Sequence, residues 1–163
     1  MKRTIVTGAN KGIGLAIVKR LLREHPDAFV YLGSRDIGRG EAAVQQIESE
    51  LGSAAKERVK LLELDVTSDV SLQKAVAIVK ADLTEANDQL YGLVNNAGGG
   101  GTNHRLVLEL NTYGLCRTTE AFLPFIKSTG MYYFFELFLP IILDKKWYDI
   151  RYSFPEINLY CHT

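Results

Sequence analysis

The chain predicts an α/β fold, a parallel sheet with helices on both faces. Three observations carry that reading. Short apolar stretches alternate with amphipathic helical ones, the connections between them are short, and a glycine-rich turn stands between the first strand and the first helix. Residues 4–7 read as a short buried strand. From Ile13 the apolar positions Ile13, Ile17, Val18, Leu21 and Leu22 share one helical face, with Lys19, Arg20, Arg23 and Glu24 on the other. Pro26 and Asp27 end that helix. Residues 28–32 form a second strand closed by Gly33, and Ala43, Val44, Ile47 and Leu51 mark a second helix stopped near Gly52. Residues 59–64 read as a third strand. After the capping cluster Thr67-Ser68-Asp69, a third helix is marked by Leu72, Ala75, Val76, Val79 and Leu83. Residues 90–94 are a fourth strand, and a last helix is expected from about residue 105 to 127, with Pro124 a kink or early stop. Crossovers in such a sheet are right-handed, and ligands sit beyond the carboxyl ends of the strands where the strand order switches. Functional residues are therefore expected in the loops that follow the strands.

Composition narrows the function classes. Nineteen Lys and Arg balance nineteen Asp and Glu, leaving no basic excess for a polyanion partner, so no nucleic-acid binding is expected. Cys116 and Cys161 are too few and too scattered for a disulfide scaffold or a zinc site, so two reduced thiols and no metal are expected. Met1-Lys2-Arg3 runs straight into an apolar stretch, and no stretch reaches the length of a membrane span. The expectation is a soluble cytoplasmic domain without leader or anchor.

The chain changes character near residue 130. All 14 glycines lie in residues 1–130, whereas residues 131–163 hold ten of the sixteen aromatics and no Gly, Ala or Val. The reading is one α/β unit over 1–130 followed by a divergent aromatic-rich tail over 131–163. The apolar run 131–143 shows neither a clean alternation nor a helical stripe, so it either packs on the domain or makes the protein insoluble.

The strand-end loops hold the chemistry. After the first strand comes Thr7-Gly8-Ala9-Asn10-Lys11-Gly12-Ile13-Gly14. Glycines at 8, 12 and 14 suit a tight turn, a close backbone approach to a pyrophosphate and close helix–strand packing, and the helix N-terminus offers free N–H groups to phosphate. At the end of the second strand, an NAD site would place a carboxylate about twenty residues past the glycine loop. Position 34 is Ser, followed by Arg35, whose guanidinium can grip a 2′-phosphate, and Lys11 adds a second positive charge. The cofactor read from these residues is NADP(H), with Asp36 the awkward neighbour because an inward carboxylate would repel that phosphate. Asp65-Val66 follows the third strand, where the carboxylate either accepts from an adenine amine or caps a helix. Asn95-Asn96-Ala97-Gly98 follows the fourth, and the glycines at 98–101 either keep that loop low beneath a ligand or form a flexible linker.

These features in this order resemble the short-chain dehydrogenase/reductase family. The matching pieces are Thr7-Gly8 through Gly12-Ile13-Gly14, Asp65-Val66, Asn95-Asn96-Ala97-Gly98, and Asn111 in Leu110-Asn111-Thr112-Tyr113-Gly114; the wording around 8–14 and Ser34-Arg35 is most similar to its NADPH-dependent carbonyl reductases. The resemblance spans residues 3–130. It implies a doubly wound Rossmann-type sheet, here truncated after the fourth or fifth β-α unit, a nicotinamide dinucleotide, and reduction of a small ketone, aldehyde or quinone. By position it implies that Gly8, Asn10, Lys11, Gly12, Ile13 and Gly14 contact the phosphates and Arg35 the 2′-phosphate. Asp65 and Val66 would hold the adenine, and Asn95, Ala97 and Gly98 the nicotinamide side. Asn111 would be the catalytic asparagine, which kinks its helix and holds a proton-relay water.

The sequence also departs from the family. The stretch between Gly98 and Asn111 is shorter than usual, and no strand ending in the catalytic Ser is recognisable past Gly130. Tyr31, Tyr91, Tyr113, Tyr132, Tyr133, Tyr148, Tyr152 and Tyr160 are the eight tyrosines, and none has a lysine four residues on. A Tyr-x-x-x-Lys acid is absent, so this chain alone is expected not to turn over. Two other readings stay open: a non-catalytic NADP(H)-binding module, or a truncated splice or gene-model product. The outer edge of the fourth strand is expected to need covering by residues 132–139, as a surrogate strand or a packed helix.

Overall fold

A computed structural model describes residues 1–135 and 158–162. Strands β1 (Lys2–Val6), β2 (Ala28–Ser34), β3 (Val59–Glu63), β4 (Leu90–Asn95), β5 (Ile126–Phe135) and β6 (Asn158–His162) form one sheet in the order β3-β2-β1-β4-β5-β6. Every pairing is parallel. The chain winds outward from β1 to β3, then crosses back to place β4 on the other side of β1, and this reversal opens a crevice at the carboxyl ends of β1 and β4.

The helices are α1 (Gly12–Glu24), α2 (Ile37–Leu51), the short α3 (Ser53–Lys56), α4 (Asp69–Glu85), α5 (His104–Leu108) and α6 (Gly114–Phe122). Strand side chains alternate between faces, so the sheet has two cores. Val6, Val30, Leu32 and Val94 pack with Leu15, Val18 and Leu22 of α1 and Ala43 and Ile47 of α2. Ile5, Tyr31, Leu62 and Leu93 pack on the other face with Leu72, Ala75 and Val79 of α4 and Phe122 of α6. Burial on that second face pushes the Tyr31 phenol up to about 12.

The predicted elements are all present, with three differences. Ile13 is 52% exposed, because the inward face of α1 is built from Gly14, Leu15, Val18 and Leu22. The short α3 was not foreseen. The last helix does not run to 127: α6 stops at Phe122, since Pro124 has no N–H for another helical bond, and after the turn Leu123–Phe125 the chain enters β5 at Ile126. That helix is also interrupted by a π turn, Glu109–Tyr113, between α5 and α6, at Asn111 where the family resemblance implied a kink. The outer edge of β4 is covered by a strand, with Leu93 opposite Tyr132 and Val94 opposite Tyr133, so β5 runs across the compositional break at residue 130. The expectation for residues 136–139 lies outside the described residues. Among the described residues no helix is long and apolar enough to cross a membrane.

At the end of the sheet opposite the crevice, Asp88 gathers three cations from distant parts of the chain. Lys127 Nζ of β5 lies 2.7 Å from its Oδ1, while Arg3 Nε and the Met1 ammonium lie 3.6 and 3.5 Å from Oδ2. The Lys127 hydrogen bond is the main reason the Asp88 carboxyl is held down at about 2. A carboxyl whose folded value lies below its unfolded one stabilises the fold fully above the unfolded value, near 4, and loses that contribution as pH falls toward 2. Asp88→Asn is therefore expected to lower stability at pH 7 by about 1–3 kcal/mol. Urea melts of both proteins at pH 7, 4 and 2.5 check it: the gap should narrow at the lowest pH, and a pH-independent gap would exclude the ionic origin.

Candidate functional site

The crevice between β1 and β4 is a groove of about 700 Å³. Its floor is the glycine loop. Gly8 has φ +61°, and a Cβ there would lie 2.9 Å from the Ala97 Cα, so the loops after β1 and β4 touch backbone to backbone. A Cβ on Gly14 would lie 2.4 Å from Asn96 Nδ2 and 2.8 Å from the Gly8 carbonyl oxygen. Asn96 holds these pieces together, its Nδ2 donating to the carbonyls of Thr7 (2.9 Å) and Gly8 (3.1 Å). The buried Thr7 hydroxyl accepts from the N–H groups of Asn96 (3.0 Å) and Ala97 (2.8 Å).

Above this floor α1 begins without a side-chain cap, so its first N–H groups are left for another acceptor, and a bound anion suits them. Lys11, Arg35 and Arg39 line the groove there together with Asp36. The awkward carboxylate is engaged elsewhere: Asp36 Oδ1 accepts from the Arg39 N–H at 2.9 Å and caps α2, and Oδ2 lies 3.7 Å from Arg39 Nε. Ser34 is buried, its hydroxyl donating to the Asp36 carbonyl at 2.7 Å. The groove therefore carries three cations, with the Asp36 carboxylate tied to the cap of α2 and to one of them, Arg39.

Asp65 and Val66 line the wall beyond β3. Asp65 Oδ1 accepts from both the N–H (2.9 Å) and the hydroxyl (2.7 Å) of Thr67, which orients the carboxylate. Ala97, Gly98, Gly99 and Gly100 line the side beyond β4, with Leu110 behind them. Asn111 sits in the π turn, its Oδ1 accepting from the Gly99 N–H at 2.9 Å and its Nδ2 donating to the Gly99 carbonyl at 2.8 Å. The glycine-rich segment is thus pinned at Gly99 rather than left as a free linker. Single-turn π insertions are frequent at functional sites, where they redirect a side chain.

Of the residues the sequence singled out, Gly8, Asn10, Lys11, Gly12, Ile13, Gly14, Arg35, Asp65, Val66, Ala97 and Gly98 are brought together on one groove. Asn111 stands just behind it, against Gly99. Asn95 is a correction: it is 3% exposed, off the groove wall, and its Nδ2 donates to Thr119 Oγ1 of α6 at 3.0 Å. Strand alternation explains this, because Asn95 shares the face of Leu93 two residues earlier and so points at α6. Sequence reasoning missed Arg39, which lies one helical turn beyond the loop, and the stapling role of Asn96. Among the described residues no cluster of His, Cys, Asp and Glu could hold a metal.

The family model of the short chain dehydrogenases matches residues 2–131. The mitochondrial D-beta-hydroxybutyrate dehydrogenase of Rattus norvegicus is 32% identical over 136 residues, covering 77% of this chain and 38% of that protein. Carbonyl reductase (NADPH) 1 of Pongo abelii is 34% identical over 139 residues, covering 80% of this chain and 47% of that one. Among solved structures, the NADPH-bound carbonyl reductase from chicken fatty liver superposes with a TM-score of 0.69 at 27% identity, over 82% of this chain and 58% of its own. The chain spans less than half the length of these two curated relatives.

Proposed function

The chain belongs to the short-chain dehydrogenase family, and from that premise we propose that its groove binds NADP(H) as the nucleotide-binding part of a carbonyl reductase. One observation carries the choice of nucleotide: Lys11, Arg35 and Arg39 all line the groove, and position 34 is a neutral Ser, where a carboxylate would have suited a free ribose 2′-hydroxyl. Lys11 with the open N–H groups of α1 takes the pyrophosphate, and Arg35 with Arg39 takes the 2′-phosphate. Asn10, Gly12 and Ile13 border the phosphate path. Gly8 and Gly14 leave the floor low, Asp65 and Val66 take the adenine, and Ala97 and Gly98 border the nicotinamide side. The chemistry the nucleotide supplies when bound is hydride transfer to a small ketone, aldehyde or quinone carbonyl.

Asn111 supports that end of the groove by fixing Gly99, which fits the active-site asparagine the family resemblance implies. These 163 residues contain no Tyr-x-x-x-Lys, so nothing here takes the role of the acid that protonates the nascent alkoxide. The reading is a nucleotide-binding chain, cytoplasmic as its composition suggests, that does not turn over alone.

Fluorescence titration tests it. NADPH should bind ahead of NADH, and Arg35→Ala should remove most of that preference, a change of about 10–100-fold from losing a charge-assisted phosphate contact. In the same cuvette, quinones and aromatic aldehydes should not accelerate NADPH oxidation above background. Equal affinities for the two nucleotides, unchanged in Arg35→Ala, would overturn the assignment. Enzymatic oxidation would overturn the second half of it.

A further inference from the structure

One guanidinium lies behind the groove wall and joins the loop after β3 and the π turn, which border it, to the start of α4. Arg117, on α6, donates from Nη1 to the Thr67 carbonyl at 3.0 Å, pairs through Nη2 with Glu109, and lies with Nε 3.4 Å from Asp69 Oδ1. Thr67 belongs to the loop after β3 and orients Asp65, Asp69 opens α4, and Glu109 opens the π turn that carries Asn111. A second observation places α6 and the loop after β3 in contact independently of charge. A Cβ on Gly114 would lie 2.9 Å from Val66 Cγ2, 3.0 Å from the Val66 carbonyl oxygen and 3.1 Å from the Glu109 carbonyl oxygen, so α6 is seated on the backbone of the β3 loop. The contacts run from Asp65 through Thr67, Arg117 and Glu109 to the π turn, and from Asn111 to Gly99. Arg117 itself does not line the groove.

We infer that Arg117, paired with Glu109, is a positioning residue that locks the 65–67 loop against the π turn and so sets the wall of the groove that receives an adenine nucleotide. The inference rests on the nucleotide reading above. Arginine suits the task because its planar fork reaches a carbonyl and two carboxylates from one centre, whereas a lysine ammonium is a point donor that holds one or two of them. Without the clamp, Thr67 loses its outer hold and the Asp65 carboxylate its fixed orientation.

Adenosine 2′,5′-bisphosphate is the probe, because it carries the adenine and the 2′-phosphate and lacks the nicotinamide half. Calorimetric titration of the full chain, well below the melting temperature, compares the unaltered protein with Arg117→Met, Arg117→Lys and Arg58→Met. Arg58 is the structural control: it donates to the carbonyls of Leu22 (2.8 Å), His25 (3.1 Å), Ala54 and Ala28 (both 3.3 Å) at the far end of the sheet, so its loss tests folding without touching the groove. Arg117→Met should weaken the bisphosphate about tenfold. Arg117→Lys should recover part of that loss, and Arg58→Met should bind as the unaltered chain does despite a lower melting temperature. Unaltered affinity in both Arg117 variants, or an equal loss in Arg58→Met, would overturn the inference while leaving the nucleotide reading in place. Failure of the unaltered chain to bind the probe would overturn both.

Discussion

Gly14→Ala is expected to be the most damaging one-carbon change in the protein. The added methyl has nowhere to go: it would meet Asn96 Nδ2 at 2.4 Å, the Gly8 carbonyl oxygen at 2.8 Å and the Ala9 Cα at 2.9 Å. Two of those three neighbours are backbone, so relief requires α1 to lift away from the glycine loop. The third is the amide that ties Thr7 and Gly8 to β4. Overpacking of this kind costs about 1–3 kcal/mol. Loss of the two Asn96 bonds adds about 1 kcal/mol each. The same displacement moves the first N–H groups of α1 out of register with the groove, so NADPH affinity should fall at least about tenfold. Gly12→Ala is the matched control: its φ is +57° but nothing lies within 4 Å of its Cβ position, leaving only the backbone cost of about 1–2 kcal/mol. Urea melts and NADPH titrations of the two variants should rank Gly14 far above Gly12, and the reverse order would show that the loop relaxes in a way the packing does not suggest.

That contrast marks what was legible in the sequence. Both glycines belong to one motif, whose spacing already assigned Gly14 to close helix–strand packing and Gly12 to the approach of a pyrophosphate. That Asn96, more than eighty residues later, adds to the crowding at Gly14 was not readable. The strand–helix alternation was readable because periods of 2 and 3.6 are local, and the strand-end loops followed from topology once the sheet was taken as parallel. The π turn carries no signal in the apolar periodicity, where residues 109–113 read as ordinary helix; only the family resemblance pointed to a kink at Asn111. Arg39 was passed over because the reading stopped at the loop, although the first turn of α2 also borders the groove. Counting two residues on from the inward Leu93 would have turned Asn95 toward α6. The partners of Asp88 and Arg117 could not be anticipated, because each charge finds its complement across elements that meet only in the folded sheet.

Thr7→Val should cost about 1–3 kcal/mol with almost no change of shape, since it leaves the Ala97 N–H without its acceptor, while the Asn96 N–H keeps the Val94 carbonyl at 3.1 Å. Thr7 is 1% exposed, and its hydroxyl serves three groups: it accepts from the N–H groups of Asn96 and Ala97 and lies 3.4 Å from the Val94 carbonyl. Valine fills nearly the same volume, so no cavity or clash contributes and the effect is the lost hydrogen bonding, chiefly the unpaired Ala97 N–H. Because the Asn96 and Ala97 amides begin the segment running to Gly98, the loop after β4 should also lose its fixed height over the glycine loop, and nucleotide affinity should fall with stability. Thr7→Ser makes the opposite change, keeping the hydroxyl and removing one methyl, worth about 0.8 kcal/mol of buried apolar surface. Equilibrium urea unfolding of the two variants separates hydrogen bonding from packing at one position: valine should be the worse of the two. A serine variant as unstable as the valine one would mean that the methyl, rather than the hydroxyl, holds the loops after β1 and β4 together.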